Sequence, residues 1–478
     1  MRPVSVTPGP AGEANEETSP ARYEAEIPCG ERWSVRLILV AYLVIQLNNI
    51  HNAAYVGQDF SFHADATDGV LTNPSHWFNL DTTERPLIHW LGAACRIYTH
   101  NQYTYQLAAF LCVLLSILAL RLLHDCSRTF IRHPVLRVAG LAWVAFLPVT
   151  IVTAVVYAAD TVVLLPFVLT CWSLSRSVQA TTDRAAAAYA LLACVGSIAG
   201  DFAKFTFTPL PIIVLLVVLV LASRRITSWR RAVLIGSLAA LAPAYVGGWL
   251  YVRNKRELAQ VPVRTEFIWV GTDEMTWRTL LFPKWSDRRI FDAPTYWDSV
   301  SVGGKKVNLL FVNNSFSYPA LLHLGIFTDV VDYADYAYRV SNHDGARRPE
   351  PHKTYARWSV RIGLIFSIAM SLSLLALWGW IIRAFLHHAP MPPTGLVVLA
   401  VLATAWFLPL TLTLPFVRHV YEWGYWLPRL VLPAIWGFAL IPFALADRWL
   451  PRRVHLATVA VAVLVLLQVV IEIRSVWY

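Results

Sequence analysis

The chain has 478 residues, of which 56% are hydrophobic and only 15% charged, and its mean hydropathy is +0.50. A soluble domain carries about a quarter charged residues, so this composition excludes a soluble globular protein and indicates one that crosses a membrane repeatedly. The formal net charge of +10 does not indicate nucleic acid, because the basic residues sit in short clusters between apolar runs. Arg128, Arg132 and Arg137, then Arg224, Arg225, Arg230 and Arg231, then Arg448, Arg452 and Arg453 have the pattern of cytoplasmic loops.

Residues 1–33 are rich in Pro, Glu, Ala and Ser and read as a disordered cytoplasmic tail. No basic segment leads promptly into an apolar core, so the first span is expected to act as an uncleaved signal anchor. The apolar runs then predict about eleven transmembrane helices, roughly over 34–51, 104–124, 135–157, 161–178, 186–200, 207–223, 232–251, 359–382, 394–414, 427–446 and 455–473. The expected fold is therefore an all-α polytopic membrane protein. Residues 34–251 form a module of about seven spans that includes a first outer loop at 52–103. Residues 252–358 form a large outer loop, and 359–478 a C-terminal module of about four spans. With the N-terminus inside, Lys and Arg concentrate on the inner side, leaving Lys204, Arg418, Arg429 and Arg474 in the short outer segments and the C-terminal tail. Of the six cysteines only Cys95 falls in an outer loop, so no structural disulfide is expected.

Several polar residues fall on the outer side in this topology. The stretch GQDFSFHADATDG (57–69) follows the first span, and the i,i+4 spacing of Asp59 and His63 puts both on one face if it is helical. Asp65 and Asp68 read as solvated loop residues or helix caps. Glu84 and Arg85 lie in DTTERPLIHW, and PLIHWLGAACRIY has the mixed faces of an interfacial helix. His76, His89 and His100 read as ordinary interface residues. Asp160 sits between apolar neighbours in VVYAADTVVLL, where a carboxylate is costly and tends to mark function. Lys204 in GDFAKFTFTP and Arg429 in YEWGYWLPRLVLP stand at span ends, where snorkelling to headgroups is the simpler account of each singly. The Trp- and Tyr-rich 252–358 loop suits an interface belt.

Carboxylates and cations converging on one membrane face suit transfer from a phosphate-linked donor. A carboxylate takes the proton of an acceptor hydroxyl, while Arg and Lys stabilise the departing phosphate. No cofactor is required by this pattern. Asp59, His63, Glu84 and Asp160 are residue types that a divalent metal accepts, which leaves room for one, but no spacing among them defines a metal site.

The order of these parts resembles the GT-C superfamily of membrane glycosyltransferases, in particular protein O-mannosyltransferases, aminoarabinose transferases and the RgtA/B/C/D-type bacterial enzymes. The local matches are GQDFSFH, ERPLIHWLGA, YAADTVVLLPFVL, AKFTF and YWLPRLVLP. The resemblance implies an inverting transferase that takes a sugar from a polyprenyl-phosphate donor on the extracytoplasmic side, in a bacterial plasma membrane. It implies Asp59 as the catalytic carboxylate, with His63 and Glu84 beside it. Arg85, Lys204 and Arg429 would meet the donor phosphate, and Asp160 would support them. ERPL holds one proline, Pro86, where the family often has two, and Phe60 follows Asp59 where protein O-mannosyltransferases carry Glu. These departures favour a lipid-linked or polysaccharide acceptor over a protein. An O-antigen ligase or polysaccharide polymerase using a lipid-pyrophosphate glycan is the alternative, with its basic residues in the later loop, such as Arg288 or Arg347. A lipid or glycan transporter would place ionisable residues near span midpoints, whereas these spans are nearly clean.

Overall fold

The computed structural model describes residues 28–53, 60–72, 86–100, 102–155, 157–258, 298–302, 305–309, 317–327, 350–413, 427–450 and 462–470, with positions 285, 288, 291 and 460. Its helices are α1 (Cys29–Ala53), α2 (Phe60–Thr72), α3 (Leu87–Thr99), α4 (Thr104–Ser127), α5 (Pro134–Ala145) and α6 (Pro148–Val155). There follow α7 (Ala159–Val162), α8 (Leu164–Gln179), α9 (Asp183–Ala203), α10 (Leu210–Ser223), α11 (Trp229–Gly236) and α12 (Ala242–Leu258). An antiparallel hairpin pairs β1 (Asp298–Val302) with β2 (Lys305–Leu309). The chain then builds α13 (Tyr318–Phe327), α14 (Glu350–His387), α15 (Thr394–Thr413), α16 (Leu427–Leu430) and α17 (Leu432–Trp449). Among the described residues, six helices are long and apolar enough to cross a membrane, or seven if α5 and α6 make one broken span. The chain is thus a helical integral membrane protein.

The expected span at 135–157 is not one rod. α5 and α6 meet at a bend of 54°, because Pro148 has no N–H to continue the ladder and disfavours helical backbone at Leu147. A π-turn over Ser237–Leu241 joins α11 to α12 just before Pro243, where the same missing donor upsets regular pairing. The bundle core forms where α8 lies along α9 and α4, and α15 packs on α17 and α8. Trp406 of α15 fits edge-on to Phe167 and Phe207 at centroid distances of 5.7 and 5.4 Å. Trp436 of α17 donates to Thr150 Oγ1 of α6 at 2.9 Å, which satisfies its N–H inside the bundle.

α1 begins at Cys29, so the tail expected to reach residue 33 ends earlier; residues 1–27 lie outside the described set. Glu31 is the reason. It is buried, accepts from Arg137 Nε and Nη2 at 2.7 and 2.5 Å, and lies 2.9 Å from His124 Nε2. At the same end, Asp447 of α17 accepts from the backbone N–H groups of Arg132 and His133 at 2.8 and 3.0 Å. Carboxylates from α1 and α17 therefore tie down the α4–α5 connection. α4 separates this end from the opposite one by 24 residues, about 36 Å of helix. All six cysteines are free.

Candidate functional site

At that opposite end, three residues singled out in the sequence come together. Asp160 lies in the first turn of α7, after Ala158 in extended backbone. Lys204 caps the end of α9: its N–H reaches Gly200 O at 2.8 Å, and its extended backbone (φ −157°, ψ 136°) turns the chain out of the helix. Gly200 makes that turn possible, since a Cβ there would overlap the Phe207 ring. Arg429 lies in the single turn α16, whose Leu430 carbonyl accepts from Trp406 Nε1 at 3.0 Å.

Asp160 pairs with both cations. Its Oδ1 meets Lys204 Nζ, and its Oδ2 lies 2.7 Å from Arg429 Nε. The residues are 3%, 7% and 2% exposed respectively, so the group is a buried ion triad and not a set of snorkelling side chains. Burial of charges at this depth costs several kcal/mol per ion, offset only by close pairing. One carboxylate thus fixes the positions of two cations. Such a pair has the chemistry to meet an oxyanion without having to reorganise.

Beside it, α2 and α3 pack on Tyr157, three residues before Asp160. His63 Nδ1 of α2 and His89 Nε2 of α3 are 3.0 Å apart, and both rings are buried. The Tyr157 hydroxyl lies 2.8 Å from Thr67 Oγ1 and 2.8 Å from Ile88 O. Gly92 admits it, because a Cβ there would occupy the hydroxyl's place. Burial above all, with the neighbouring His63 second, pulls the His89 pKa down to about 3, so it is a neutral imidazole near pH 7. His89 is therefore not the ordinary interface residue expected of it. α3 is the expected amphipathic helix, burying Ile88, His89, Gly92, Ala93 and Cys95 while exposing Ile97 and Tyr98. Trp90 packs on Phe202, two residues before Lys204, at 5.4 Å between centroids, joining α3 to the end of α9.

Asp65 and Asp68 are neither loop residues nor caps; both lie within α2, and Asp68 forms a salt bridge with Arg96 of α3. Asp59, Glu84, Arg85 and His76 lie outside the described residues. One buried carboxylate near this end of α9 was missed in the sequence. Asp201 is fully buried in the last turn of α9 and packs closely on Gly247 of α12, where a Cβ would lie 2.9 Å from its Oδ1. A carboxylate at a helix C-terminus opposes the local dipole, and its position one turn before Lys204 was the available signal. Among the described residues, no three His, Cys, Asp or Glu side chains gather as a metal set. The comparisons give no family: no family model matches this chain, and no curated protein matches it.

Proposed function

We propose that this protein is an inverting membrane glycosyltransferase that moves a sugar from a polyprenyl-phosphate donor to an acceptor hydroxyl. The observation that carries the reading is the buried pairing of Asp160 with Lys204 and Arg429, drawn from three distant segments to one end of the bundle. The described basic residues around Arg132, Arg224 and Arg448 lie at the other end, which supports a cytoplasmic N-terminus and an extracytoplasmic site; we read both as parts of an eleven-span GT-C arrangement. In the proposed step, Asp59 removes the proton of the acceptor hydroxyl as its oxygen attacks the anomeric carbon. The bond from that carbon to the phosphate oxygen breaks, and the polyprenyl phosphate leaves with the electron pair. Lys204 and Arg429, with Arg85 from the sequence motif, stabilise the charge on the departing oxygen. One base and a direct displacement give inversion. The acceptor is a lipid-linked glycan or polysaccharide.

The test is turnover of a panel of polyprenyl-phosphate sugars by protein in lipid nanodiscs. Wild type consumes one donor. Asp59→Asn loses most turnover while retaining donor binding, and Arg429→Gln raises the donor KM. Undiminished turnover in Asp59→Asn refutes the base assignment. Failure to consume any polyprenyl-phosphate sugar, with consumption of a lipid-pyrophosphate glycan instead, refutes the donor class.

A further inference from the structure

The basic end of the bundle holds a charged feature that the proposed transfer leaves unused. α10 and α14 both terminate there, at Ser223 and His387. Just past them, Arg225 and His388 adopt left-handed backbone with φ of 56° and 52°, a conformation that disfavours residues other than glycine. These turns bring Arg224 to His388: Arg224 Nη1 donates to His388 Nδ1 at 2.8 Å, and the guanidinium lies 5.0 Å over the Phe385 ring. Because Nδ1 accepts, the ring proton of His388 sits on Nε2.

The remaining edge of Arg224 has no partner. Its Nε and Nη2 are shielded from water and make no hydrogen bond. Those are the parallel donors that take a two-oxygen anion side-on, and Arg137 in this same chain uses them to hold both oxygens of Glu31. Among the described residues, no carboxylate pairs with Arg224. The sequence has no Asp or Glu between Asp201 and Glu257, nor between Glu350 and Glu422. Asp447 is engaged by backbone N–H groups, and Asp183 pairs with Arg231. The C-termini of α10 and α14 favour cations here through their partial negative charge, yet no carbonyl bonds to the Nε–Nη2 edge. Phe385 is exposed, so its ring can turn aside to admit a headgroup.

We propose that Arg224 is the anchor of a phosphate-oxyanion site, filled by the headgroup of an anionic membrane lipid, with His388 Nε2–H and the exposed Arg225 as flanking donors. Lipid phosphates lie at the ends of spans, and an anionic leaflet favours basic residues there. The site is independent of the transfer proposed above.

The experiment compares protein in phosphatidylcholine nanodiscs, in nanodiscs with increasing phosphatidylglycerol, and in phosphatidylcholine with inorganic phosphate. Thermal midpoint and lipids retained in native mass spectrometry are the readouts. Wild type gains thermal stability and retains phosphatidylglycerol. Arg224→Gln loses most of that gain. Arg224→Lys keeps the charge but lacks the paired edge, so its phosphatidylglycerol affinity falls about tenfold; it also serves if the Gln variant misfolds. Arg230→Gln, whose side chain is 91% exposed, responds like wild type. An undiminished response in both Arg224 variants overturns the site. A gain produced equally by inorganic phosphate overturns the lipid as its ligand.

Discussion

Replacing Asp160 by Asn keeps the shape of the side chain and removes its charge, leaving two cations facing each other in a buried position. Lys204 and Arg429 have side chains 8% and 2% exposed, so water cannot solvate them in place of the carboxylate. At an effective dielectric of about 20, unit charges about 4 Å apart interact by about 4 kcal/mol. Asp160 makes two such attractions, and its own desolvation offsets part of their sum. Removing one member of a buried charge cluster costs about 3–5 kcal/mol in total. Asp160→Asn is therefore expected to lose that amount in reversible SDS-driven unfolding in bicelles. Adding Lys204→Met removes one stranded cation and should restore about half of the loss, a coupling of roughly 1–3 kcal/mol in the double-mutant cycle. A loss under about 1 kcal/mol for Asp160→Asn, or strictly additive effects, would refute a tightly coupled buried triad.

Three further outcomes follow from the same structure. Glu31→Gln leaves Arg137 and His124 without their carboxylate and should cost about 2–4 kcal/mol, read as faster hydrogen exchange in the first turns of α1. Gly92→Ala forces a methyl group into the Tyr157 hydroxyl and should destabilise the α2–α3 packing by about 1–3 kcal/mol, with Tyr157→Phe partly rescuing it in thermal scans. His89 is held neutral, with a pKa of about 3 against an ordinary value of 6.5. Its contribution is thus fully present above about pH 6.5 and lost as pH falls towards 3, where the unfolded chain binds the proton more readily. The loss is up to about 1.4 kcal/mol per pH unit. His89→Gln should flatten that acid limb of the stability profile.

The charged residues at the proposed site were legible one at a time, and the reason is hydropathy. A Lys, Arg or Asp flanked by apolar residues is costly wherever it sits, so Asp160, Lys204 and Arg429 stood out without any knowledge of the fold. What the sequence could not convey is pairing, because period and hydropathy say how an element faces but not which distant element it meets. Glu31 was hidden for that reason: it lies in a polar, Pro-rich stretch that reads as tail, and only Arg137 and His124, about a hundred residues away, make it part of a helix. His89 was hidden by its company, since PLIHWLGAACRIY has the composition of an interface helix whether or not its histidine meets another. The 135–157 run looked continuous because Pro148 is apolar; its missing N–H breaks the ladder without altering the hydropathy.

Helix lengths set the depth of the site. α10 runs from Leu210 to Ser223, 14 residues, or about 21 Å, and its far end is the basic end at Arg224. The hydrocarbon core is about 30 Å thick, so an α10 that starts from the headgroups at its basic end stops about 9 Å short of the opposite surface, and any tilt shortens its reach further. The stretch from Lys204 to Pro209, which leaves the α-helix and holds one 3₁₀ turn at Phe205–Phe207, then lies below that surface. Backbone without regular α-helical pairing at such depth is tolerated only where protein buries it or where it lines a cavity; Phe207, fully buried against Trp406, provides the burial. The broken α6–α7 connection and the single turn α16 bring Asp160 and Arg429 to the same level. Recessed cations of this kind are reachable by a phosphate that travels within the leaflet on a long hydrocarbon tail, and less so by one that arrives from water. That depth agrees with the lipid-borne donor of the proposed transfer better than with a water-soluble one. It also yields a direct check: a spin label at residue 208 should show oxygen accessibility exceeding that of a water-soluble nickel chelate, and the reverse ordering would place the site at the aqueous surface.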